Sequence, residues 1–295
     1  MSYKSGFVAI MGSPNVGKST LLNRFVGMKV AIVSKKAQTT RNKVVGIVTS
    51  DDYQIVFLDT PGLHTPKNKL GKYMVDTAYS AQKDVDATLM VIDAVVGIKE
   101  RDEEIIKKLI GDNFIVAINK CDIAKKGSVD AIKAKLLEYK INENKIVAMS
   151  ALTGEGVDNL TDILVEYLEE GPQYYPSDMV TDRPERFIAA EIIREKILEN
   201  VDEEIPHGVG IEIEKIEEYE DLTKVFAVIY CERASHKGII IGAKGSMLKK
   251  IGAQARVDMQ MLFDSKVYLE LWVKVKDDWR NSSFMLKELG YTKEW

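Results

Sequence analysis

Residues 12–20 read GSPNVGKST and lie directly behind the apolar run FVAIM at 7–11. Gly12, Gly17, Lys18 and Ser19 fit G-x-x-x-x-G-K-[ST], the spacing of a loop that cradles phosphates. Glycines let backbone N–H groups converge on an anion with no Cβ in the way. The helix expected to start near Lys18 adds the positive end of its dipole. Lys18 is expected to reach the β- and γ-phosphates and the Ser19 hydroxyl to ligand Mg²⁺. Such a loop specifies phosphate and leaves the base open.

Three further stretches narrow it. Residues 55–62 read IVFLDTPG: Asp59, at a strand end, can reach Mg²⁺ through water, and the Gly62 amide can meet a γ-phosphate. Residues 114–122 read FIVAINKCD, again a strand that delivers polar residues at its C-terminal end, where open α/β sheets bind ligands. The Asp122 carboxylate can accept from a guanine N1–H and its exocyclic amine, donors that adenine lacks, so a mismatched base leaves the acid unpaired. The Lys120 stem can lie over the base, and Asn119 can tie this turn to the phosphate loop. In KIVAMSALTG, Ser150-Ala151-Leu152 follow another strand, and the Ala151 amide can meet guanine O6. Four elements in this order imply GTP or GDP with Mg²⁺. Ser13, Pro14, Asn15, Val16 and Thr20 of the loop, with Thr60, Pro61 and Leu63 beside Asp59 and Gly62, complete the expected nucleotide set.

The chain must build sheets to position these ends. Its 295 residues suit two domains, and 45% hydrophobic residues allow substantial cores. A net charge of −4 argues against a general nucleic-acid coat. Cys121 and Cys231 form neither a disulfide framework nor a metal spacing, so a reducing cytoplasm is the expected setting. No stretch approaches the ~20 apolar residues of a membrane span, which leaves peripheral membrane contact open. Strand-like runs at 7–11, 44–49, 54–58, 87–92, 114–118 and 145–149 alternate with helical patterns at 18–26, 101–110, 129–139 and 157–168. That alternation predicts an α/β P-loop GTPase domain over 1–170, a doubly wound and mostly parallel sheet. The short turn between runs 44–49 and 54–58 predicts one antiparallel edge strand. Residues 171–184, with three prolines and no periodicity, read as a linker.

Residues 185–295 have another texture: helix, two strands, two helices about a glycine turn, a strand, and a last helix over 279–289. Between His236 and Arg256 lie Lys237, Lys244, Lys249, Lys250 and Arg256 with no acid, whereas 191–222 holds twelve Asp/Glu against three Lys/Arg. Gly242-Ala243-Lys244-Gly245 is a GxxG between helices, the clamp of a KH module for single-stranded backbone. The basic residues, Gly242, Ala243 and Gly245 are the expected RNA contacts. The order α-β-β-α-α-β makes it an α+β type II KH domain.

The set GSPNVGKS, DTPG, NKCD and SAL resembles the translation-factor-related GTPases, and KAQTTRNKVVGI at 36–47 resembles the Era GTPases within them. With the KH pattern the resemblance covers about residues 5–292. It implies that the QTTR segment is the first switch, with Thr40, or else Thr39, closing on Mg²⁺, and that the second switch follows Gly62. Lys18, Thr40 and Gly62 are then the expected catalytic set. Leu63 stands where related enzymes carry a water-orienting glutamine, so intrinsic hydrolysis is expected to be slow. His64, or a K⁺ ion held by Asn15, would supply what Leu63 cannot. The resemblance further implies a cytoplasmic monomer that binds the 3′ end of small-subunit rRNA and acts in assembly of the small ribosomal subunit. A GTP-dependent switch for proteins or membrane, using the KH fold as a protein surface, is the second reading. An ATPase or kinase conflicts with NKCD.

Overall fold

The computed structural model describes residues 2–34, 36, 39–82, 85–111, 113–202 and 205–291. The chain forms two compact units. Unit 1 comprises Met1–Ala31, Thr40–Thr65 and Met74–Asp182, and unit 2 comprises Ile32–Thr39, Pro66–Tyr73 and Arg183–Trp295.

Unit 1 is built on β1 (Lys4–Met11), α1 (Lys18–Val26), β2 (Val44–Thr49), β3 (Tyr53–Asp59), α2 (Lys69–Ser80), β4 (Ala87–Asp93), α3 (Glu100–Leu109), β5 (Phe114–Asn119), α4 (Ser128–Glu138), β6 (Ile146–Ala148), α5 (Val157–Glu166) and β7 (Glu169–Glu170); α2 begins inside the segment assigned to unit 2. The sheet order is β2-β3-β1-β4-β5-β6, with the two-residue β7 also against β1. β1 pairs in parallel with both β3 and β4, so the strand order reverses at β1 and a crevice opens beyond its C-terminal end. Every residue of β4 and β5 is buried, as a parallel strand covered on both faces requires. β2 is antiparallel to β3 at the sheet edge, as the short turn predicted. Gly46 on β2 lets α1 approach closely: a Cβ there would sit 2.5 Å from Leu22 Cδ1.

Two features depart from the sequence expectation. Helix α2 was not expected. It buries Leu70, Met74 and Ala78 at a spacing of four, and Asn68 Oδ1 accepts the Gly71 amide at 2.7 Å to start it. The expected linker 171–184 is strapped to unit 1 as far as Asp182. Val180 O accepts the Ile47 amide at 2.9 Å, and Gln54 Oε1 accepts the amides of Tyr174 and Tyr175 at 2.8 and 3.0 Å. The Ile47 bond occupies an amide that the edge strand β2 otherwise leaves unpaired.

Unit 2 contains α6 (Glu185–Asn200), β8 (Gly210–Tyr219), β9 (Leu222–Cys231), α7 (Ala234–Ile241), α8 (Ser246–Phe263), β10 (Lys266–Val275) and α9 (Ser283–Glu288). Its sheet runs β10-β9-β8, parallel between β10 and β9 and antiparallel between β9 and β8, which gives the expected α-β-β-α-α-β order. Thr223, Val225, Ala227, Ile229 and Cys231 alternate into the core, where α6 supplies Ile188, Ile192, Ile193 and Ile197. The last helix is split. A 3₁₀ turn at Trp279–Asn281 ends at Ser282, whose extended backbone and side chain, accepting the Met285 amide at 3.3 Å, restart the chain as α9. Trp279 is wholly buried and donates from Nε1 to Gly208 O at 2.8 Å.

Candidate functional site

The phosphate loop joins β1 to α1. Gly12 and Gly17 hold φ of +141° and +103°, and Asn15 holds +65°. A Cβ on Gly12 would lie 2.5 Å from Val91 O, and one on Gly17 would lie 2.2 Å from Asn119 Nδ2. Both positions therefore need glycine for backbone angle and for space. Lys18 is buried and donates to Gly12 O and Ser13 O, each at 3.0 Å, which closes the loop around its ammonium. Asn119 Nδ2 donates to Val16 O at 2.8 Å, the tie between loop and base turn that the sequence predicted. No side chain caps α1, so its first turn keeps an uncapped, positive N-terminus behind the loop. Burial lowers the Lys18 pKa, opposed by the charges of Asp59 and Asp102.

Ser19, Thr40 and Asp59 converge. Ser19 Oγ lies 2.7 Å from Asp59 Oδ2 and 2.9 Å from Thr40 Oγ1, and Thr40 Oγ1 lies 3.4 Å from the same carboxylate oxygen. Thr39 turns away and donates to Lys36 O at 2.6 Å, so of the two threonines it is Thr40 that reaches this cluster. Ala37 and Gln38 of the expected first switch lie outside the described residues. Asp59 Oδ1 is buried with no hydrogen-bond partner among the described residues. A fully buried carboxylate with one unanswered oxygen beside two hydroxyls fits a hard divalent cation. Burial raises the Asp59 pKa to about 6, against the lowering effects of Lys18, Ser19, Thr40 and the Thr60 amide.

That shift sets a pH dependence. A carboxyl raised from 3.8 to about 6 contributes stability below pH 3.8 that is lost as pH rises through 6. The loss is about 3 kcal/mol in the nucleotide-free protein. A cation answers the charge, so the melting-point gap between Mg²⁺·GDP-loaded and free protein is expected to widen from pH 5 to 7.5. Asp59→Asn should flatten the Asp59 contribution to that widening; scanning calorimetry across the pH series checks it.

At the base side Asn119 is buried, and its Oδ1 accepts the Lys120 and Ala151 amides at 2.8 and 2.9 Å. The Ala151 amide, expected to await guanine O6, is thus already engaged; a base oxygen there would share it with Asn119. Lys120, at φ +67°, donates from Nζ to Asn15 O at 2.8 Å and pairs with Asp93 at 2.6 Å. Asp122 follows on an exposed 3₁₀ turn. Ser150 is buried, its Oγ accepting the Thr153 amide at 3.2 Å, while Leu152 is 70% exposed.

Beyond the loop, Thr60 is turned from the crevice and donates to Ile10 O at 2.8 Å. Gly62 lies against Pro14: a Cβ would sit 2.9 Å from Pro14 Cα, so this approach needs glycine. Pro61 is buried, and Leu63 packs in the apolar cluster with Met90 and Ile92, which takes its side chain out of the crevice. His64 Nδ1 is 3.1 Å from Gly62 O, and burial lowers its pKa. Its Nε2 is buried without a partner among the described residues.

Sequence reasoning missed three supporting residues. Asp93 ends β4 as Asp59 ends β3 and Asn119 ends β5, a signal that was present in LMVID. Asp102, buried at the start of α3, accepts from Ser13 Oγ at 2.5 Å and from the Lys99 amide at 3.0 Å. Arg24 on α1 donates to Ala151 O at 3.1 Å and to Leu152 O. Nothing in sequence spacing announces either pairing.

In unit 2, Gly242 (φ +73°), Lys244 (φ +51°) and Gly245 (φ +80°) form the turn between α7 and α8. A Cβ on Gly242 would meet Met247 N at 2.7 Å, whereas Gly245 faces open space at the start of α8. Gly245, Lys249 and Arg256 line one groove with Leu248, Gly252, Ala253, Leu269 and Leu271. Lys237, Gly242, Ala243, Lys244 and Lys250 are not among its lining. Lys244, Lys249, Lys250 and Arg256 are exposed. Ile240 is core, while Ile239 is 49% exposed.

The family model of a 50S ribosome-binding GTPase matches residues 7–120, and that of a KH domain matches 204–280. The chain is 52% identical to the GTPase Era of Alkaliphilus oremlandii over 99% of this chain and 100% of that one. This chain belongs to the Era GTPase family. It is 50% identical to the GTPase Era of Ruminiclostridium cellulolyticum over 99% of this chain and 98% of that one. A solved Era complex with MgGDPNP and nucleotides 1506–1542 of 16S ribosomal RNA superposes with a TM-score of 0.93 at 41% identity, covering 98% of this chain and 99% of that one. An Aquifex aeolicus Era variant bound to GDP·AlF₄⁻ gives 0.91 at 42% identity, with coverage of 98% and 99%.

Proposed function

We propose that this Era-family GTPase binds GTP and Mg²⁺ in the crevice beyond β1, hydrolyses GTP slowly, and binds the 3′ end of small-subunit rRNA through its KH unit in assembly of the small ribosomal subunit. The observation that carries the nucleotide half is the Ser19–Thr40–Asp59 cluster, with its unanswered buried oxygen, beside a loop closed on Lys18. In this reading the loop residues 12–20 and the α1 N-terminus hold the phosphates, with Lys18 on the β- and γ-phosphates. Ser19, Thr40 and, through water, Asp59 hold Mg²⁺. When bound, Mg²⁺ neutralises charge on the phosphate oxygens. The Gly62 amide and its neighbours Thr60, Pro61 and Leu63 border the γ-phosphate through backbone. Asn119, Lys120 and Asp122 read guanine, with Ser150, Ala151 and Leu152 closing the base pocket. The solved Era complex with MgGDPNP and nucleotides 1506–1542 of 16S ribosomal RNA supports the RNA half, as do the GxxG turn and the basic groove of this chain.

Leu63 is core, so the attacking water needs another host. This reading offers two candidates: His64, whose buried Nε2 has no partner among the described residues, and Asn15, through a K⁺ ion. If K⁺ supplies the charge, hydrolysis in KCl exceeds that in NaCl, and Asn15→Ala erases the difference. Equal rates in the two salts would leave His64. The GTPase reading itself is tested by competition: excess ATP should leave hydrolysis of labelled GTP untouched, and inhibition by ATP equal to that by GTP would overturn it. No helix among the described residues is long and apolar enough to cross a membrane. The reading includes a cytoplasmic monomer with at most peripheral membrane contact, which sedimentation and vesicle flotation check.

A further inference from the structure

Unit 2 includes residues 32–39, and four polar contacts fasten that segment to α6 and the residues just after it. The Val33 amide donates to Glu195 Oε1 at 2.9 Å. Lys36 Nζ donates to Val201 O and lies 3.4 Å from Asp202. Arg194 donates from Nη2 to Thr39 O. Arg194 is 1% exposed, and Glu191 fixes it from the same helix: Nε donates to Glu191 Oε1 at 2.8 Å and Nη2 to Oε2. Its remaining Nη1 has no partner among the described residues, so the Thr39 carbonyl and the Glu191 carboxylate are the acceptors recorded for this buried guanidinium.

A cation held in place by a carboxylate on its own helix is already oriented before it meets the Thr39 carbonyl. The next residue along the chain is Thr40, whose hydroxyl meets Ser19 and Asp59. Fixing the carbonyl of residue 39 fixes the plane of the 39–40 peptide, and with it the positions of the Thr40 N and Cα from which that side chain starts.

We infer that Arg194 is a positioning residue for the nucleotide site: by holding the Thr39 carbonyl it presents the Thr40 hydroxyl to the cation that accompanies a γ-phosphate. This deepens the GTPase reading and rests on it. The consequence is selective. Thr40 matters where a γ-phosphate and its Mg²⁺ are both present, so loss of Arg194 weakens binding of a GTP analogue and spares GDP. A merely structural arginine would lower stability and weaken both nucleotides alike.

The test uses the full chain with Arg194→Lys, which keeps a cation near Glu191 but lacks the planar fork, alongside Arg194→Ala, Thr40→Ala and the double variant Arg194→Lys/Thr40→Ala. Affinities for a fluorescent non-hydrolysable GTP analogue and for fluorescent GDP are titrated in Mg²⁺. Arg194→Lys is expected to weaken the analogue about tenfold, the size of one charge-assisted hydrogen bond, and to leave GDP unchanged. The double variant is expected to bind the analogue no more weakly than Thr40→Ala alone, because both changes remove one interaction. A readout free of nucleotide is trypsin cleavage after Lys36 and Arg41 in the apo protein, which should speed up in Arg194→Lys by more than the fall in its melting point accounts for. If Arg194→Ala fails to fold, Arg194→Lys carries the result. Additive losses in the double variant, or equal weakening of analogue and GDP, would overturn the inference. Wild-type protein that does not prefer the analogue's Mg²⁺ complex to ATP would overturn the GTPase reading instead.

Discussion

Lys18→Ala is expected to abolish nucleotide binding at micromolar concentrations. The Lys18 ammonium is buried and makes two 3.0 Å bonds to the carbonyls of Gly12 and Ser13. Removing it leaves those carbonyls without that donor and deletes the charge the phosphates would meet. It also leaves Asp59 and Asp102, both buried, without the cation that offsets them. Truncating one member of a desolvated charged pair costs about 2–5 kcal/mol, or roughly thirty- to several-thousand-fold in affinity. Fluorescent GDP titration checks it, with a melting curve to show that the variant folds. Affinity within about threefold of wild type would remove Lys18 from the phosphate site, since even a modest hydrogen bond to a charged group exceeds that.

Gly242→Asp combined with Lys244→Asp should eliminate RNA binding and leave GTP binding intact. Gly242 holds φ +73° and ψ 174°, a region open to glycine almost alone, and a Cβ there would strike Met247 N at 2.7 Å. The turn must therefore rearrange. The two aspartates also reverse the field where phosphates are expected. A loss of about 100-fold or more is expected, with the slope of log affinity against log salt reduced by about one for the Lys244 contact. Filter binding at several salt concentrations measures both. GTP affinity should stay within about twofold, because unit 1 keeps its own core and loop. Retained RNA binding would favour the second reading, in which the KH fold is a protein surface.

Much of this was legible because it is local. GSPNVGKS sits on one turn, DTPG and NKCD sit on single strand ends, and GxxG sits between adjacent helices. Each needs only a strand or helix in register with its neighbours, and apolar runs specify those directly. What escaped depends on contacts between elements distant in sequence. Asp102 meets Ser13 across 89 residues, and Arg24 meets Ala151 across 127. Helix α2 was hidden by Gly71 and by a polar first turn, although Leu70, Met74 and Ala78 carry its buried stripe. The proline-rich 171–184 read as a linker because prolines and absent periodicity are common to free linkers and to straps that follow a sheet edge. The bonds to the sheet, those of Gln54 and Ile47 among them, distinguish the two. The expected groove cations divided for a geometric reason. Lys249 and Arg256 are seven residues apart and share one face of α8, whereas Lys250 is turned about 100° away.

Coupling between the proposed GTP and RNA sites would make each ligand favour the other by the same factor, as thermodynamic linkage requires. The measurement that tests it most directly is binding of the full chain to a short RNA copied from the 3′ end of small-subunit rRNA. It is made at fixed salt, first with a non-hydrolysable GTP analogue and Mg²⁺, then with GDP and Mg²⁺. The account predicts tight, sequence-dependent binding that the analogue strengthens by about 5- to 150-fold over GDP, the usual range of coupling between sites. Equal affinity in the two nucleotide states, or binding indifferent to RNA sequence, would contradict it.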